Sequence, residues 1–288
     1  SITHGYENGV NRWPDEIEQL ERLGMANLDA YEEDVRALGI RADFERTGSL
    51  TELARVAEEL GVVIHEDALV RRIDDDASSV TVTTPAGSVT ASRVVLATNV
   101  FPSLLKRNRL MTVPVYDYVL MTEPLSAEQL ASIGWTDRQG IGDMANQFHY
   151  YRLTQDDRIL FGGYDAIYHY GRRVRAGYEN RPASWARLAS HFFTTFPQLE
   201  GLRFTHRWAG AIDTSTQFTA FFGTARDRRV AYAAGFTGLG VGPARFAGEV
   251  MLDLLDGVRN ERTELEMVRR RPLPFPPEPA AAIGINAT

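Results

Sequence analysis

The residues best suited to chemistry lie close to the C-terminus, in a glycine-rich turn. The sequence GFTGLGVGP, residues 235–243, follows the segment VAYAA and precedes an amphipathic run. This order predicts a strand, a turn and a helix that begins near Val241 or Pro243. Glycines let the backbone approach a ligand closely, and the first turn of a helix offers unpaired N–H groups and the positive end of its dipole. The pattern predicts a site for negative charge; the alternative is that the glycines only allow close packing of strand and helix.

A second set of candidate residues lies in the middle of the chain and is mostly aromatic. Aromatic faces can enclose an amine, and an arginine can bind a carboxylate through two parallel hydrogen bonds. The alternative for each aromatic residue is cross-strand packing. In a strand, Tyr116 and Tyr118 share one face, whereas neighbours such as Tyr150 and Tyr151 point to opposite faces. The candidates for a substrate wall are Tyr116, Tyr118, His149, Tyr150, Tyr151, Arg152 and Trp208, of which Tyr116, His149, Tyr151 and Arg152 are assigned a catalytic role.

No metal site is predicted. The remaining histidines are scattered, with no HExxH motif and no carboxylate at ligand spacing, and we interpret them as structural or surface residues: His65, His169, His191 and His206. The chain has no cysteine, which excludes disulfides and thiolate zinc sites and fits a reducing cytoplasm.

The first part of the chain has the pattern of half a dinucleotide-binding α/β unit. Apolar spacing predicts helices over residues 15–38 and within 49–62. Residues 62–76 predict a strand that runs into an acidic turn, and residues 79–92 a hairpin about Pro85. The segment RVVLATN, residues 93–99, predicts a strand buried on both faces of a parallel sheet.

Residues 109–229 have the character of a second, inserted domain. They are aromatic, β-branched and separated by turns, which predicts an antiparallel sheet, with one helix over residues 182–199. The proline-rich C-terminus predicts an extended tail. The predicted division is a discontinuous first domain of residues 1–12, 47–108 and 230–272, a second domain of 13–46 and 109–229, and a tail of 273–288.

Composition restricts the partners. With 288 residues, 44% of them hydrophobic, the chain is long enough for a large core, and its net charge of −7 argues against binding to nucleic acid or to an anionic membrane. No apolar run reaches the roughly 20 residues that a membrane span needs, and the first residues do not resemble a signal peptide. We therefore predict a cytoplasmic protein with no membrane or nucleic-acid partner, and leave its oligomeric state open.

Four segments in this order resemble the FAD-dependent oxidoreductases of the D-amino-acid oxidase superfamily, which includes sarcosine and glycine oxidases and γ-glutamylputrescine oxidase-like enzymes. The segments are RVVLATN, VPVYDYVLMTEPL, YYRLTQDDRILFGGYD and GFTGLGVG, and the resemblance covers nearly all of residues 1–270. It implies an α/β fold: a discontinuous Rossmann-like FAD-binding domain, without its N-terminal βαβ unit, and an inserted α+β antiparallel-sheet substrate domain. FAD is the implied cofactor, with the late helix dipole stabilising the negative charge of the reduced flavin.

The resemblance also implies which residues meet the cofactor. Val70 matches the position whose backbone meets the adenine, and residues 97–99 match a strand end near the flavin. The implied contacts are His4, Gly5, Val70, Ala97, Thr98, Asn99, Trp208, Gly210, Gly235, Phe236, Thr237, Gly238, Leu239, Gly240 and Val241.

The chain departs from the family pattern near its beginning. The family's first strand, its GxGxxG loop and the acidic residue that binds ribose match no part of this sequence, and the junction at Leu50 and Thr51 is shorter than in the family. We expect that these parts belong to a longer polypeptide; the alternative is a remnant that does not hold FAD.

The implied reaction is oxidation of a C–N bond. A small neutral amine or amino acid gives a hydride to flavin N5, the imine is hydrolysed, and electrons pass to O₂ or to another acceptor. Such a reaction needs few protein acids or bases. The alternatives are a flavin dehydrogenase that does not use O₂, and a flavin-free remnant that acts as a binding or structural module.

Overall fold

In the computed structural model, which describes residues 2–3, 6–40, 50–143 and 147–286, the chain divides into two compact units. The first comprises Ser1–Thr112 and Asp213–Phe275, and the second comprises Val113–Ile212 and Pro276–Thr288. Two predicted cofactor contacts, His4 and Gly5, lie outside the described residues, as does the predicted domain boundary between residues 46 and 47.

The described helices and strands are numbered in chain order. The helices are α1 (Tyr6–Arg12), α2 (Ile17–Ala37), α3 (Leu50–Glu59), α4 (Ala127–Ile133), α5 (Pro182–Thr195), α6 (Val241–Asp256), α7 (Glu261–Glu264), α8 (Glu266–Arg269) and α9 (Ala280–Asn286). The strands are β1 (Arg72–Asp75), β2 (Val80–Thr84), β3 (Gly87–Ala91), β4 (Val94–Leu96), β5 (Thr112–Thr122), β6 (Ile141–Gly142), β7 (His149–Leu153), β8 (Ile159–Gly163), β9 (Ile167–Tyr168), β10 (Phe204–Ser215), β11 (Phe221–Ala225) and β12 (Val230–Ala234).

The first unit is organised around a sheet of order β11-β12-β4, in which β4 runs parallel to β12 and β11 antiparallel to it. Helix α6 packs on this sheet, and its Phe246 and Val250 lie in one core with Ala231 and Ala233. The strand, turn and helix predicted over residues 230–257 are confirmed as β12 and α6.

Helix α2 also belongs to the first unit. Its Leu20 lies in the core beside α6, the amide of Asn27 donates to the carbonyl oxygen of Gly242 at 2.9 Å, and Asp34 accepts from Nε of Arg245 at 2.6 Å. The sequence predicted this helix correctly but assigned residues 13–46 to the second domain. The described part of that segment belongs to the first unit instead, because the apolar stripe of α2 packs against α6, which lies more than 200 residues further along the chain.

Two strand predictions in the first unit are corrected. Val95 in β4 is 44% exposed, because the described part of the sheet pairs β4 with one neighbour only, so this strand is not buried on both faces. In residues 62–76 only β1 is a strand; Val62, Val63 and Ile64 are exposed. The hairpin prediction is confirmed, since β2 and β3 pair from Val80 with Ala91 to Thr84 with Gly87.

The second unit is built on an antiparallel sheet of order β10-β5-β8-β7-β6, with β9 also paired to β5. Helix α5 covers one face of it through Trp185, Leu188 and Phe192, which pack with Tyr118 and Phe161. The predicted antiparallel sheet and its single long helix are therefore confirmed.

The predicted extended tail is wrong at its end, where α9 forms. The Glu278 carboxylate accepts from the backbone N–H of Ala282 at 3.1 Å and of Gly171 at 2.8 Å, and from the hydroxyl of Tyr168. An acceptor before the first helical turn satisfies N–H groups that a helix leaves unpaired, which explains why a helix begins here.

Candidate functional site

The glycine-rich turn and the segment after β4 leave the same edge of one sheet. In the parallel pair, Val230 lies opposite Val94 and Tyr232 opposite Leu96, so residues 97–99 and 235–241 follow the carboxyl ends of neighbouring strands. Ligands of open α/β sheets bind outside such an edge. The structure thus brings together two segments that the sequence assigned to the cofactor; Val70 packs beside the core formed by Leu96 and Tyr232.

The turn has an unusual backbone. Gly235 and Gly238 have φ of +78° and +88°, and Thr237 has φ of +54°. A Cβ on Gly235 would lie 2.8 Å from Cβ of Ser215 and 3.0 Å from the ring of Phe221, so position 235 requires glycine. A positive φ is rare for a β-branched residue, and such strain persists only where the surroundings impose it.

A buried carboxylate, that of Asp213 in β10, lies beneath this turn. Its Oδ2 accepts from the backbone N–H of Gly235 at 2.5 Å, and its carbonyl oxygen accepts from Thr237 N–H at 3.2 Å. The Thr237 hydroxyl donates to the carbonyl oxygen of Gly235 at 2.9 Å and accepts from Ser215 N–H at 3.2 Å. Burial raises the pKa of Asp213 to about 6, although N–H groups of the turn favour its ionised form.

The N-terminus of α6 is available to a ligand. Its N-cap is Gly240, which has no side chain, so no side chain at that position caps the helix. A Cβ built on Gly240 or on Gly242 would meet no atom within 4 Å. The first intrahelical bond runs from Ala244 N–H to the carbonyl oxygen of Gly240 at 3.0 Å. The N–H groups ahead of it, together with the helix dipole, favour negative charge in the open space beside them.

Three of the four predicted catalytic residues lie on the sheet face that α5 covers. Tyr116 is fully buried; its hydroxyl accepts from Arg175 N–H at 2.9 Å. Tyr151 packs in the same core. Tyr116 and Tyr118 share this face, as their spacing predicts.

His149, the third of these residues, forms a line of polar groups with two partners. Its Nδ1 lies 2.6 Å from Oδ2 of Asp143, and its Nε2 lies 2.8 Å from Nδ1 of His191 in α5. Burial, and then the proximity of His149, lowers the pKa of His191. The sequence interpreted His191 as structural and did not predict the pairing. Among the described residues, no three histidine, aspartate or glutamate side chains come together in an arrangement that could hold a metal ion.

The opposite face of the sheet carries a different set of side chains. The Tyr150 hydroxyl donates to Oδ2 of Asp117 at 2.6 Å, and burial raises the pKa of both groups. By alternation Arg152 shares this face with Tyr150; it is half-buried and has no hydrogen bond or ion pair with any described residue. Asp117 was not predicted, although a lone acidic residue between Tyr116 and Tyr118 is a recognisable signal.

Trp208 and Gly210, two of the predicted cofactor contacts, lie on β10. Arg207 sits over the ring of Trp185 in α5, so alternation places Trp208 and Gly210 on the face away from that helix. Trp208 is 42% exposed. The structure therefore places Arg152, Trp208 and Gly210 on one face, and Tyr116, His149 and Tyr151 on the other.

A cavity of about 400 Å³ lies between α5 and β10. It is lined by Leu120, Trp185, Ala186, Ala189, Phe204, Thr205, His206 and Arg207, and contains none of the predicted site residues. Its walls are mostly apolar and carry no carboxylate. We place the candidate site at the glycine turn instead, because unpaired N–H groups, backbone strain and a buried carboxylate coincide there.

Comparison with known proteins identifies the family. The sequence profile of the family described as DAO, FAD-dependent oxidoreductase, matches residues 50–254. The chain belongs to this family. The family depends on FAD, and the matched segment contains the glycine turn, the strand end at 97–99 and the whole antiparallel sheet.

Two relatives are similar in sequence. Gamma-glutamylputrescine oxidoreductase of Escherichia coli is 32% identical over 200 residues, which cover 67% of this chain and 43% of the relative. A probable oxidoreductase, OrdL, of Haemophilus influenzae is 28% identical over 211 residues, which cover 71% of this chain and 45% of the relative. The match spans less than half the length of either relative.

Solved structures share the fold. Glycine oxidase from Geobacillus kaustophilus matches with a TM-score of 0.59 at 21% identity, over 73% of this chain and 54% of that one. L-proline dehydrogenase from P. horikoshii matches with a TM-score of 0.60 at 21% identity, over 73% and 55%. The mixed helix and sheet architecture is therefore that of the family. Among the described helices, none has the length and apolarity needed to cross a bilayer.

Proposed function

We propose that this chain forms the flavin-facing and substrate-facing part of an FAD-dependent oxidoreductase that oxidises a C–N bond in a small amine or amino acid. One observation carries the proposal: the uncapped N-terminus of α6 borders open space at the carboxyl edge of the β4–β12 pair. Family membership gives the cofactor that such a site would hold.

The fit to a flavin rests on the chemistry of the turn. The N–H groups of Val241 and Gly242 and the helix dipole together stabilise a neighbouring negative charge by about 0.3–2 kcal/mol. Gly240 and Gly242 leave room for a flat ring close to the backbone. Ala97, Thr98 and Asn99 would contact the same group from the neighbouring strand, and Val70 would meet its adenine end. Trp208 and Gly210 remain predicted cofactor contacts. Bound FAD supplies the hydride acceptor.

On the substrate side we propose Arg152 as the group that binds a carboxylate. Arg152 is half-buried, its side chain has no hydrogen bond or ion pair with any described residue, and by alternation it shares a face with the Tyr150–Asp117 pair. The planar guanidinium of arginine can donate two parallel N–H bonds to a carboxylate, which the compact ammonium of a lysine cannot do. We assign Tyr116, Tyr151 and His149 to support of the sheet, since their contacts are with the core and with α5.

The names of the similar proteins support the proposed substrate class. Their names give gamma-glutamylputrescine, glycine and L-proline, each of which has a C–N bond next to an oxidisable carbon. We propose O₂ as the electron acceptor. The alternative is a dehydrogenase with another acceptor, and the same residues fit both.

Reconstitution with FAD tests the proposal. We expect the full-length protein to bind FAD, with a change in flavin fluorescence, and the bound flavin to lose its yellow colour when glycine, L-proline or gamma-glutamylputrescine is added without O₂. Admission of air should restore the colour and release H₂O₂. A chain that changes neither the fluorescence nor the visible spectrum of FAD would support the flavin-free alternative, whereas reduction without peroxide release would support a dehydrogenase.

A further inference from the structure

The buried carboxylate of Asp213 has no cationic partner in the part of the chain that the structure describes. The side chain is 2% exposed, and no arginine, lysine or histidine of the described residues forms an ion pair with it. Its acceptors are instead used by backbone N–H groups of the turn that follows β12, with Gly235 at 2.5 Å. An uncompensated buried charge is unfavourable. If position 213 served packing alone, an apolar residue would stabilise the fold more than aspartate does. The hydrogen bonds of the carboxylate must therefore account for the presence of aspartate.

Those contacts define the conformation of residues 235–239. The carboxylate and the carbonyl oxygen of Asp213 hold the N–H groups of Gly235 and Thr237 beneath the turn. Thr237, held at φ +54°, bonds back to Gly235 and to Ser215. With these N–H groups turned inward, the chain reaches Gly240 in the right-handed helical region, at φ −68°, and α6 begins with its N-terminus uncapped.

We propose that Asp213 is a positioning residue for the cofactor: it fixes the turn in the conformation that leaves the first N–H groups of α6 free to meet the flavin. This inference rests on the proposed function. Asp213 itself does not touch the ligand. Without its carboxylate the N–H groups of Gly235 and its neighbours lose their acceptor, the strain at Thr237 is no longer opposed, and the turn samples other conformations.

The experiment compares three variants of the full-length protein. Asp213→Ala removes the acceptor, and Asp213→Asn keeps an oxygen for the Gly235 N–H without the charge. Asp253→Asn is the matched control, because Asp253 is an aspartate of α6, the helix that follows the turn, and pairs with Arg262 and Asn260 away from the turn. Hydrogen exchange of the peptide 230–243 reports the turn without any flavin, and the FAD dissociation constant is measured where each variant is folded.

We expect Asp213→Ala to speed exchange at the turn, and to weaken FAD binding, by about tenfold or more, which corresponds to about 1.4 kcal/mol. Asp213→Asn should restore both to within about threefold of the wild type, and Asp253→Asn should change neither. A residue that only stabilised the fold would lower the melting temperature but leave the affinity of the folded fraction intact.

Two results would overturn the inference. Unchanged exchange in Asp213→Ala would show that the carboxylate does not hold the turn. Faster exchange with unchanged FAD affinity would show that the turn conformation does not serve the cofactor. If instead the wild type binds no FAD, the proposed function fails and the positioning role fails with it, while faster exchange in Asp213→Ala, with normal exchange in Asp253→Asn, still shows that Asp213 orders the turn.

Discussion

Two buried carboxylates, one in each unit, are satisfied in opposite ways. In the second unit, Asp165 accepts from Arg181 at 3.1 Å, from Arg187 and from the hydroxyl of Ser184 at 2.5 Å. In the first unit, Asp213 accepts from backbone N–H groups of a strained turn and pairs with no cationic side chain of the described residues. The arginines join the first carboxylate to α5, whereas the second is held at the carboxyl edge of the β4–β12 pair, where we propose that a ligand binds.

The difference in hydrogen-bond partners distinguishes a structural carboxylate from one that we assign to a functional site. A carboxylate paired with arginines has a structural role that accounts for its burial, because it joins two elements of one core. A carboxylate that bears an elevated pKa, lies under residues with positive φ and adjoins an uncapped helix is typical of a functional site. The difference supports our proposal of a functional site at the turn, and we interpret Asp165 with Arg181, Arg187 and Ser184 as a structural cluster.

The largest effect is expected from Asp165→Ala. Removing one partner of a buried ion pair is destabilising by about 3–5 kcal/mol, and we expect the lower end because the two arginines are about a third exposed or more. Urea unfolding followed by tryptophan fluorescence, to which Trp135, Trp185 and Trp208 of the second unit contribute, measures it. The surface pair Glu123–Arg203 is the control; Glu123→Ala should leave the transition unchanged, and equal effects would remove the distinction between structural and surface pairs.

Gly235→Ala should be the next most harmful change. The new Cβ would meet Ser215 at 2.8 Å and Phe221 at 3.0 Å with φ at +78°, and steric and backbone strain together are expected to destabilise the first unit by about 2–4 kcal/mol. Gly248→Ala is the matched control, since Gly248 lies within α6 and its Cβ would meet nothing within 4 Å. That change should stabilise the helix by up to about 1 kcal/mol. Similar unfolding midpoints for the two variants would contradict the geometry of the turn.

The smallest effect concerns pH. The pKa of Asp213 is about 6 in the folded chain against an ordinary value of 3.8, so the folded state binds this proton more tightly than the unfolded state. The resulting stability is fully present below about pH 4 and is lost as the pH rises through about 6, by about 2–3 kcal/mol. The difference in unfolding free energy between the wild type and Asp213→Asn, measured from pH 4 to pH 8, should show this change. Parallel curves would mean that the carboxyl group titrates normally.

The sequence predicts local structure well where one segment carries the whole pattern. Residues 230–256 combine an apolar strand, glycine punctuation and a helical stripe, so β12, the turn and α6 follow directly. Tyr116 and Tyr118 share a face because strand alternation is a local property. The hairpin of β2 and β3 follows from a turn flanked by alternating residues.

What the sequence does not predict depends on distant partners. Asp213 could not be recognised, because the N–H group that it binds belongs to Gly235, which lies 22 residues further on. The assignment of α2 to the first unit depends on its packing with α6. Val62 to Ile64 have strand propensity, but a strand also needs a neighbour, and in the described residues they have none. The pairing of His149 with His191 likewise joins a strand and a helix that no local pattern connects.

The most direct test of the central claim, that the N-terminus of α6 contacts the flavin, is an FAD titration of Gly240→Leu beside Gly248→Leu. Both glycines belong to this helix region and both have empty space where a Cβ would lie, so both variants should fold as the wild type does. We predict that leucine at position 240 fills the ligand's space and weakens FAD binding by about tenfold or more, while leucine at 248 leaves the affinity within about twofold. Equal affinities for the two variants would contradict the account.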